Sequence, residues 1–328
     1  MIRTIGKWLG RLLLLAILAV AGMWAFGPRE PVAVAASFDA RKFGEGVQVY
    51  FESVEADVDG LVEGAEKRVI WAGPAETRTP VAVVYIHGFS SSPEELRPVP
   101  DRVAQALGAN LVFARMAGHG VKPGEKLAEA SAHDWMQDVA EALAAGRAVG
   151  EEVIVITTST GGTLMAEAAL QPELAEGVKG IVFVSPNFGI NDPLAFMLTW
   201  PGARWFVPAL AGEMREWEPE SEAHAKFWTT RYPTVAALPL AALVQHAAAQ
   251  DYSGVRIPAL FYYSEGDRVV LPEETKRIAG AWGGPVTVSL LPDDAEVVDT
   301  RHVIAGDIRS PQNNDAAVQV MLDWARGL

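Results

Sequence analysis

The chain has 328 residues, of which 27 are basic and 41 acidic, giving a formal net charge of −14; 50% are hydrophobic and 21% charged. The acidic excess argues against a nucleic-acid binder, which carries a basic face, and the hydrophobic half argues against disorder. The absence of cysteine excludes disulfides, thiolate metal sites, a cysteine nucleophile and a lipidated-cysteine anchor. The length suits one large α/β domain or two ordinary ones.

Charge is unevenly placed. Residues 1–30 hold four basic residues (Arg3, Lys7, Arg11, Arg29) and one acid (Glu30), leaving 23 basic and 40 acidic residues, or −17, in the other 298. Residues 12–26 carry no charge and would form a helix of about 22 Å; starting instead at Trp8 gives about 28 Å, close to a hydrocarbon core of about 30 Å. Trp8 and Trp24 then fall near the two interfaces, and Arg3, Lys7 and Arg11 orient the N-terminus to the cytoplasm with the rest exported. The alternative is a secretory signal cleaved at Ala33-Val34-Ala35, releasing a secreted body. Residues 28–37, with Pro28 and Pro31, read as a linker.

From residue 47 strand-like runs alternate with helical ones. Strands are expected at 47–54, 67–73, 81–88, 110–116, 152–158, 179–186, 257–266 and 285–291, and helices at 93–107, 131–149, 161–170, 273–282 and 312–327. Such alternation specifies a mostly parallel sheet covered by helices on both faces. The rhythm stops between about 187 and 255, where four of the ten tryptophans (Trp200, Trp205, Trp217, Trp228) and six prolines fall. This stretch reads as a helical cap over the carboxyl edge of the sheet, where open α/β sheets place their sites.

The chemistry begins at the end of the run 152–158. Strand, sharp turn and helix meet at Thr157-Thr158-Ser159-Thr160-Gly161-Gly162, with Ser159 at the apex and small residues behind it. Thr157 stands where a first glycine is expected. A nucleophilic serine needs an imidazole base and a carboxylate to orient that base. Asp267 follows a late strand, and His302 follows the next one as the only histidine after position 246. Asp293, Asp294 and Asp299 are alternative acids in a less suitable connection. At the first long strand, His87-Gly88-Phe89 provides a loop whose Phe89 N–H, with the Thr160 N–H, would form an oxyanion hole.

On these residues, with Arg115, Gly118-His119-Gly120 and Asp134-Trp135, positions 67–327 resemble the α/β-hydrolase superfamily, in the capped monoacylglycerol lipase, lysophospholipase and carboxylesterase branch. The resemblance implies an α/β-hydrolase domain over 38–328 with a cap at about 187–255; the apolar stretch at 1–27 before it reads, from its composition, as a membrane anchor or signal segment. It implies a serine hydrolase of carboxylic esters, of the monoacylglycerol, lysophospholipid or simple acyl type, working without a cofactor or metal through Ser159, Asp267 and His302. It makes His119 structural.

Two other functions compete. A peptidase or amidase on the same fold would use Glu213, Glu216, Glu218, Glu220 and Glu222 to hold an amine, although these read more simply as a solvated helix face. A non-catalytic binding protein would leave the serine unreactive. Glu55 to Glu66 loosely matches a calcium loop, but position 1 is glutamate and the flanks read as strands, so a solvated acidic hairpin is expected. His133 and His224 are expected at the surface or in structural roles.

Overall fold

The computed structural model describes residues 2–328. Helix α1 (Ile2–Phe26) meets the body near its C-terminal end, where Trp24 packs on Trp200; Arg3 falls on it with its side chain outside the described residues. The span Gly6–Phe26 has a mean hydropathy of 2.1 and, by length and composition, suffices to cross a membrane. The body follows as α2 (Val47–Ala56), β1 (Arg68–Ile70), β2 (Thr79–Ile86), α3 (Val99–Leu107), β3 (Asn110–Phe113), α4 (Ala132–Val149), β4 (Gly150–Thr158), α5 (Thr160–Ala169), α6 (Pro172–Ala175) and β5 (Val178–Val184). Then come α7 (Ala203–Ala211), β6 (Met214–Glu216), α8 (Glu222–Phe227), β7 (Arg231–Pro233), α9 (Ala237–Ala248), β8 (Ala259–Tyr263), α10 (Pro272–Ala281), β9 (Val286–Leu290) and α11 (Asn314–Ala325).

Seven strands form one sheet in the order β1-β3-β2-β4-β5-β8-β9, all parallel except β1, which is antiparallel to β3. Alternation along β2 divides the core. Val84 and Ile86 join Trp135, Met136, Leu164 and Ile278 on the α4, α5 and α10 side. Val83 and Tyr85 join Val103, Val318 and Met321 on the α3 and α11 side. The chain therefore has the α/β-hydrolase fold expected of it: a mostly parallel sheet with helices on both faces and a preceding apolar helix.

Three expectations are corrected. Residues 47–54 form helix α2, not a strand: the buried set is Val47, Phe51 and Glu55, a spacing of four. The acidic hairpin is not solvated at its start, because buried Glu55 ends α2 and binds buried Arg115 through two bonds of 2.8 Å. The expected helix over 93–107 is split, since Pro98 and Pro100 lack amide hydrogens and the regular helix begins at Val99.

The insert between β5 and β8 is not wholly helical. It carries the two-stranded antiparallel sheet of β6 and β7 as well as α7 and α8. Its last helix, α9, sends Leu243 and Val244 into the sheet-side core with α5. Of Glu213, Glu216, Glu218, Glu220 and Glu222, expected on one solvated helix face, only Glu222 lies in a helix. The segment 28–37 is bonded to the body. Gly202 N–H donates to Pro28 O at 2.7 Å, Arg204 grips Glu30 at 2.6 and 2.8 Å, and Gln171 bonds both Val34 O and Ala36 N.

Candidate active site

Strand β4 delivers Ser159 to the carboxyl edge of the sheet, between β2 and β5. Ser159 has φ 50° and ψ −116°, a left-handed conformation that a non-glycine residue adopts only under constraint from its surroundings. The constraint is tight packing. A Cβ on Gly161 would come within 2.3 Å of Ile86 O, so the start of α5 passes directly under the end of β2. A Cβ on Gly88 would press on Ser159 Cβ at 3.1 Å. Thr157 is accommodated without the expected glycine: it is buried in β4, and its hydroxyl donates to Val182 O at 2.9 Å.

Asp267 and His302 meet although 35 residues apart. Asp267 Oδ2 lies 2.7 Å from His302 Nδ1, and Oδ1 accepts the N–H groups of Val269 (2.8 Å) and Val270 (3.0 Å). Both carboxylate oxygens are thus committed, which fixes the carboxylate plane and aims the imidazole. Asp293, Asp294 and Asp299 do not take this place. Burial disfavours charge on His302, but Asp267 and then Glu95 outweigh it, and the pKa is raised above the usual 6.5.

Ser159, His302, Phe89 and Thr160 line one cavity of about 500 Å³, within the range of about 300–1,000 Å³ usual for small-molecule sites. Thr160 opens α5, so its N–H belongs to the unpaired first turn of a helix, where the dipole favours negative charge. The Phe89 loop is held from behind. His87 Nδ1 lies 2.8 Å from Gly88 O, and its Nε2 accepts Met116 N–H at 3.1 Å, so the ring is neutral with the proton on Nδ1. Burial pushes its pKa well down. His119 is buried and packs edge-on against Phe89 and Trp135; burial lowers its pKa to about 4. It is not among the residues lining the cavity.

The cavity contains groups the sequence reading passed over. Glu95 is buried beside Ser159, and its Oε2 accepts Gly88 N–H at 2.7 Å and Tyr85 O–H at 3.3 Å. Burial raises the Glu95 pKa, opposed by the Gly88 N–H. His224, expected at the surface or in a structural role, lines the cavity and joins cap to core: its Nδ1 lies 2.7 Å from Arg309 Nη1, and Arg309 Nη2 reaches Glu220 at 3.0 Å. Burial, then Arg309, lowers the His224 pKa to about 4, so it serves as a neutral acceptor. Glu218 also lines the cavity. Among the described residues no cluster of histidines and acids with metal-holding geometry occurs.

The chain is similar to known proteins in sequence and in fold. The chain is 28% identical over 193 residues (59% of this chain and 73% of the relative) to a thermostable monoacylglycerol lipase of Bacillus sp. (strain H-257). Its fold resembles a structure reported for LipS and LipT, two metagenome-derived lipolytic enzymes, with a TM-score of 0.65 and 21% identity over 82% of this chain and 100% of that one. It also resembles a monoacylglycerol lipase of Paleococcus ferrophilus, with a TM-score of 0.55 and 16% identity over 79% and 96% of the two chains. The model of the alpha/beta hydrolase family matches residues 83–307, more than half of the chain. The protein belongs to the alpha/beta hydrolase family.

Proposed function

We propose that the protein is a serine hydrolase of carboxylic esters, acting through Ser159, His302 and Asp267. The observation that carries the reading is one cavity holding a serine at positive φ and an imidazole already bonded to a buried carboxylate. In this reading His302 takes the Ser159 proton as Oγ attacks the ester carbonyl. The Phe89 and Thr160 N–H groups stabilise the oxyanion, and His302 returns the proton to the leaving alcohol. Water, deprotonated by His302, then attacks the acyl-enzyme, releasing the acid and regenerating Ser159. Asp267 holds the imidazole in the tautomer that presents Nε2 as base.

The aromatic wall of Trp217, Trp228 and Tyr232 favours an apolar acyl chain. Glu218 and Glu220 could instead hold an amine, but Arg309 already pairs with Glu220, so the ester reading is preferred to a peptidase or amidase. A Ser159→Ala variant should lose fluorophosphonate labelling and at least about a thousandfold in ester turnover, with an unchanged circular-dichroism spectrum. Labelling retained at another serine rejects the assignment. A panel of p-nitrophenyl esters of rising chain length, run beside aminoacyl anilides, separates ester from amide hydrolysis.

The same proposal reads α1 as a retained membrane anchor, with Lys7 and Arg11 toward the cytoplasm and the acidic catalytic body exported. The bonds of Pro28, Glu30 and Val34 to the body support retention over cleavage, since a cut at Ala35 would remove all three.

A further inference from the structure

The cap presents a patch that nothing in the body covers. Leu194, Phe196, Trp205 and Leu210 are 52–70% exposed. They lie in the stretch 193–211, whose single charge is Arg204, in a chain that is 21% charged overall. Arg204 is paired to Glu30, at the foot of α1. A surface of this kind on a protein with 41 acidic residues is unusual unless it meets something apolar.

The patch is continuous with α1. An apolar groove of about 860 Å³ runs between them, walled by Ile17, Val20 and Trp24 on one side and Trp200, Phe206 and Leu210 on the other. The Trp24 and Trp200 rings meet edge-on at 5.6 Å. At a rise of about 1.5 Å per residue, Ile17 lies about 14 Å along the helix from Phe26, roughly the depth of one leaflet. A helix that spans the bilayer therefore carries the groove's other wall into the leaflet at its C-terminal end. Gly202 bonded to Pro28 and Arg204 bonded to Glu30 fix that position just outside the helix.

We propose that the cap face formed by 194–210 is immersed among the acyl chains of the leaflet next to the body. The interaction surface is thus a lipid one, made jointly by α1 and α7. The inference rests on the reading of α1 as a membrane anchor. A second cavity of about 520 Å³, lined by Asp192, Arg215 and Arg268 as well as by apolar side chains, adjoins both: it shares Met197 and Leu210 with the groove, and Ile190, Leu198, Arg215 and Val269 with the cavity that holds Ser159. The substrate class that such a path fits is a membrane-borne amphiphilic ester, taken sideways from the leaflet.

The lack of cysteine allows a direct test on the full-length chain. Single variants Leu210→Cys, Ile17→Cys and, as an exposed control on α10, Lys276→Cys are labelled with an NBD fluorophore and reconstituted into phosphatidylcholine vesicles with or without doxyl-labelled lipid. The expected result is blue-shifted emission and about twofold or greater doxyl quenching at 17 and 210 but not at 276. Quenching at 17 with water-like emission at 210 overturns the immersed cap and leaves the anchor standing. Water-like emission at both positions overturns the anchor and the immersed cap together. Blue-shifted emission at 210 without doxyl quenching means protein covers the face, a second copy included, and also overturns the proposal.

Discussion

In the proposed mechanism Glu95 sets a buried carboxylate next to the loop whose Phe89 N–H would hold the oxyanion, and a charge there would oppose transition-state stabilisation unless it served another group. Two such groups are at hand. Its Oε2 holds the Gly88 N–H, fixing the loop that presents Phe89, and its field adds to that of Asp267 in holding a proton on His302. Glu95 is therefore a positioning residue with an electrostatic effect on the base. In the proposed mechanism His302 acts as a neutral base, and with its pKa raised the acidic limb of kcat/KM should lie above pH 6.5, with activity rising toward alkaline pH. Glu95→Gln keeps an acceptor for Gly88 but removes the charge. It should move that limb toward acid and change the alkaline plateau by no more than about threefold, whereas Glu95→Ala, losing the acceptor as well, should lower the plateau by about tenfold or more. An unmoved limb in Glu95→Gln rejects the electrostatic role. Ser159, Asp267 and His302 could be singled out as candidates because their chain order and their positions after strands are local features, and the fold brings Asp267 onto His302 and puts His302 in one cavity with Ser159. Glu95 could not be singled out: Pro93-Glu94-Glu95 reads as the acidic start of a helix, and only the folded chain turns the third of these residues inward.

Helix α2 shows what a local pattern conceals. Val47, Val49 and Phe51 alternate as a strand would, and the helical face Val47–Phe51–Glu55 looks broken because its third member is charged. Its partner Arg115 lies 60 residues on, and the pair is buried, with side-chain exposures of 6% and 8%. Arg115 also donates to His119 O at 3.2 Å, so the pair joins α2 to the loop after β3 that backs Phe89. Removing one member leaves a buried unpaired charge. Glu55→Ala should therefore cost about 3–5 kcal/mol in urea unfolding, and a loss under about 1 kcal/mol would show that water replaces the pair. The sheet strands, by contrast, were legible because β2, β4, β5 and β8 are apolar runs buried on both faces. The insert was recognisable as a break in rhythm, but its internal order was not. The three-residue strands β6 and β7 carry no periodicity, and α9 returns to the core because of what it packs on rather than what it contains.

At the scale of the molecule, an apolar groove, a cleft of mixed lining and the cavity at Ser159 adjoin one another, with Asp192, Arg215 and Arg268 among the cleft's walls. From α1 the groove passes beneath α7 to the cleft at Met197 and then to the cavity at Ser159, while the acidic surplus belongs to the body. In the proposed reading a short ester would need only the inner cavity, and a long acyl chain would also occupy the cleft. Leu198 stands where the two meet. Enlarging it fills the junction, and a side chain too large for a packed site costs about 1–3 kcal/mol, which is roughly a factor of 5 to 150 in binding. Leu198→Trp should therefore lower kcat/KM for p-nitrophenyl palmitate by about tenfold or more, and for the acetate by less than about threefold. The ratio of the two rates is the diagnostic, because a general loss of folding or of triad geometry lowers both together. An unchanged ratio would mean that the acyl chain leaves the cavity by another way, between the aromatic cap residues Trp217 and Trp228, and that the cleft serves the cap's packing instead of its substrate.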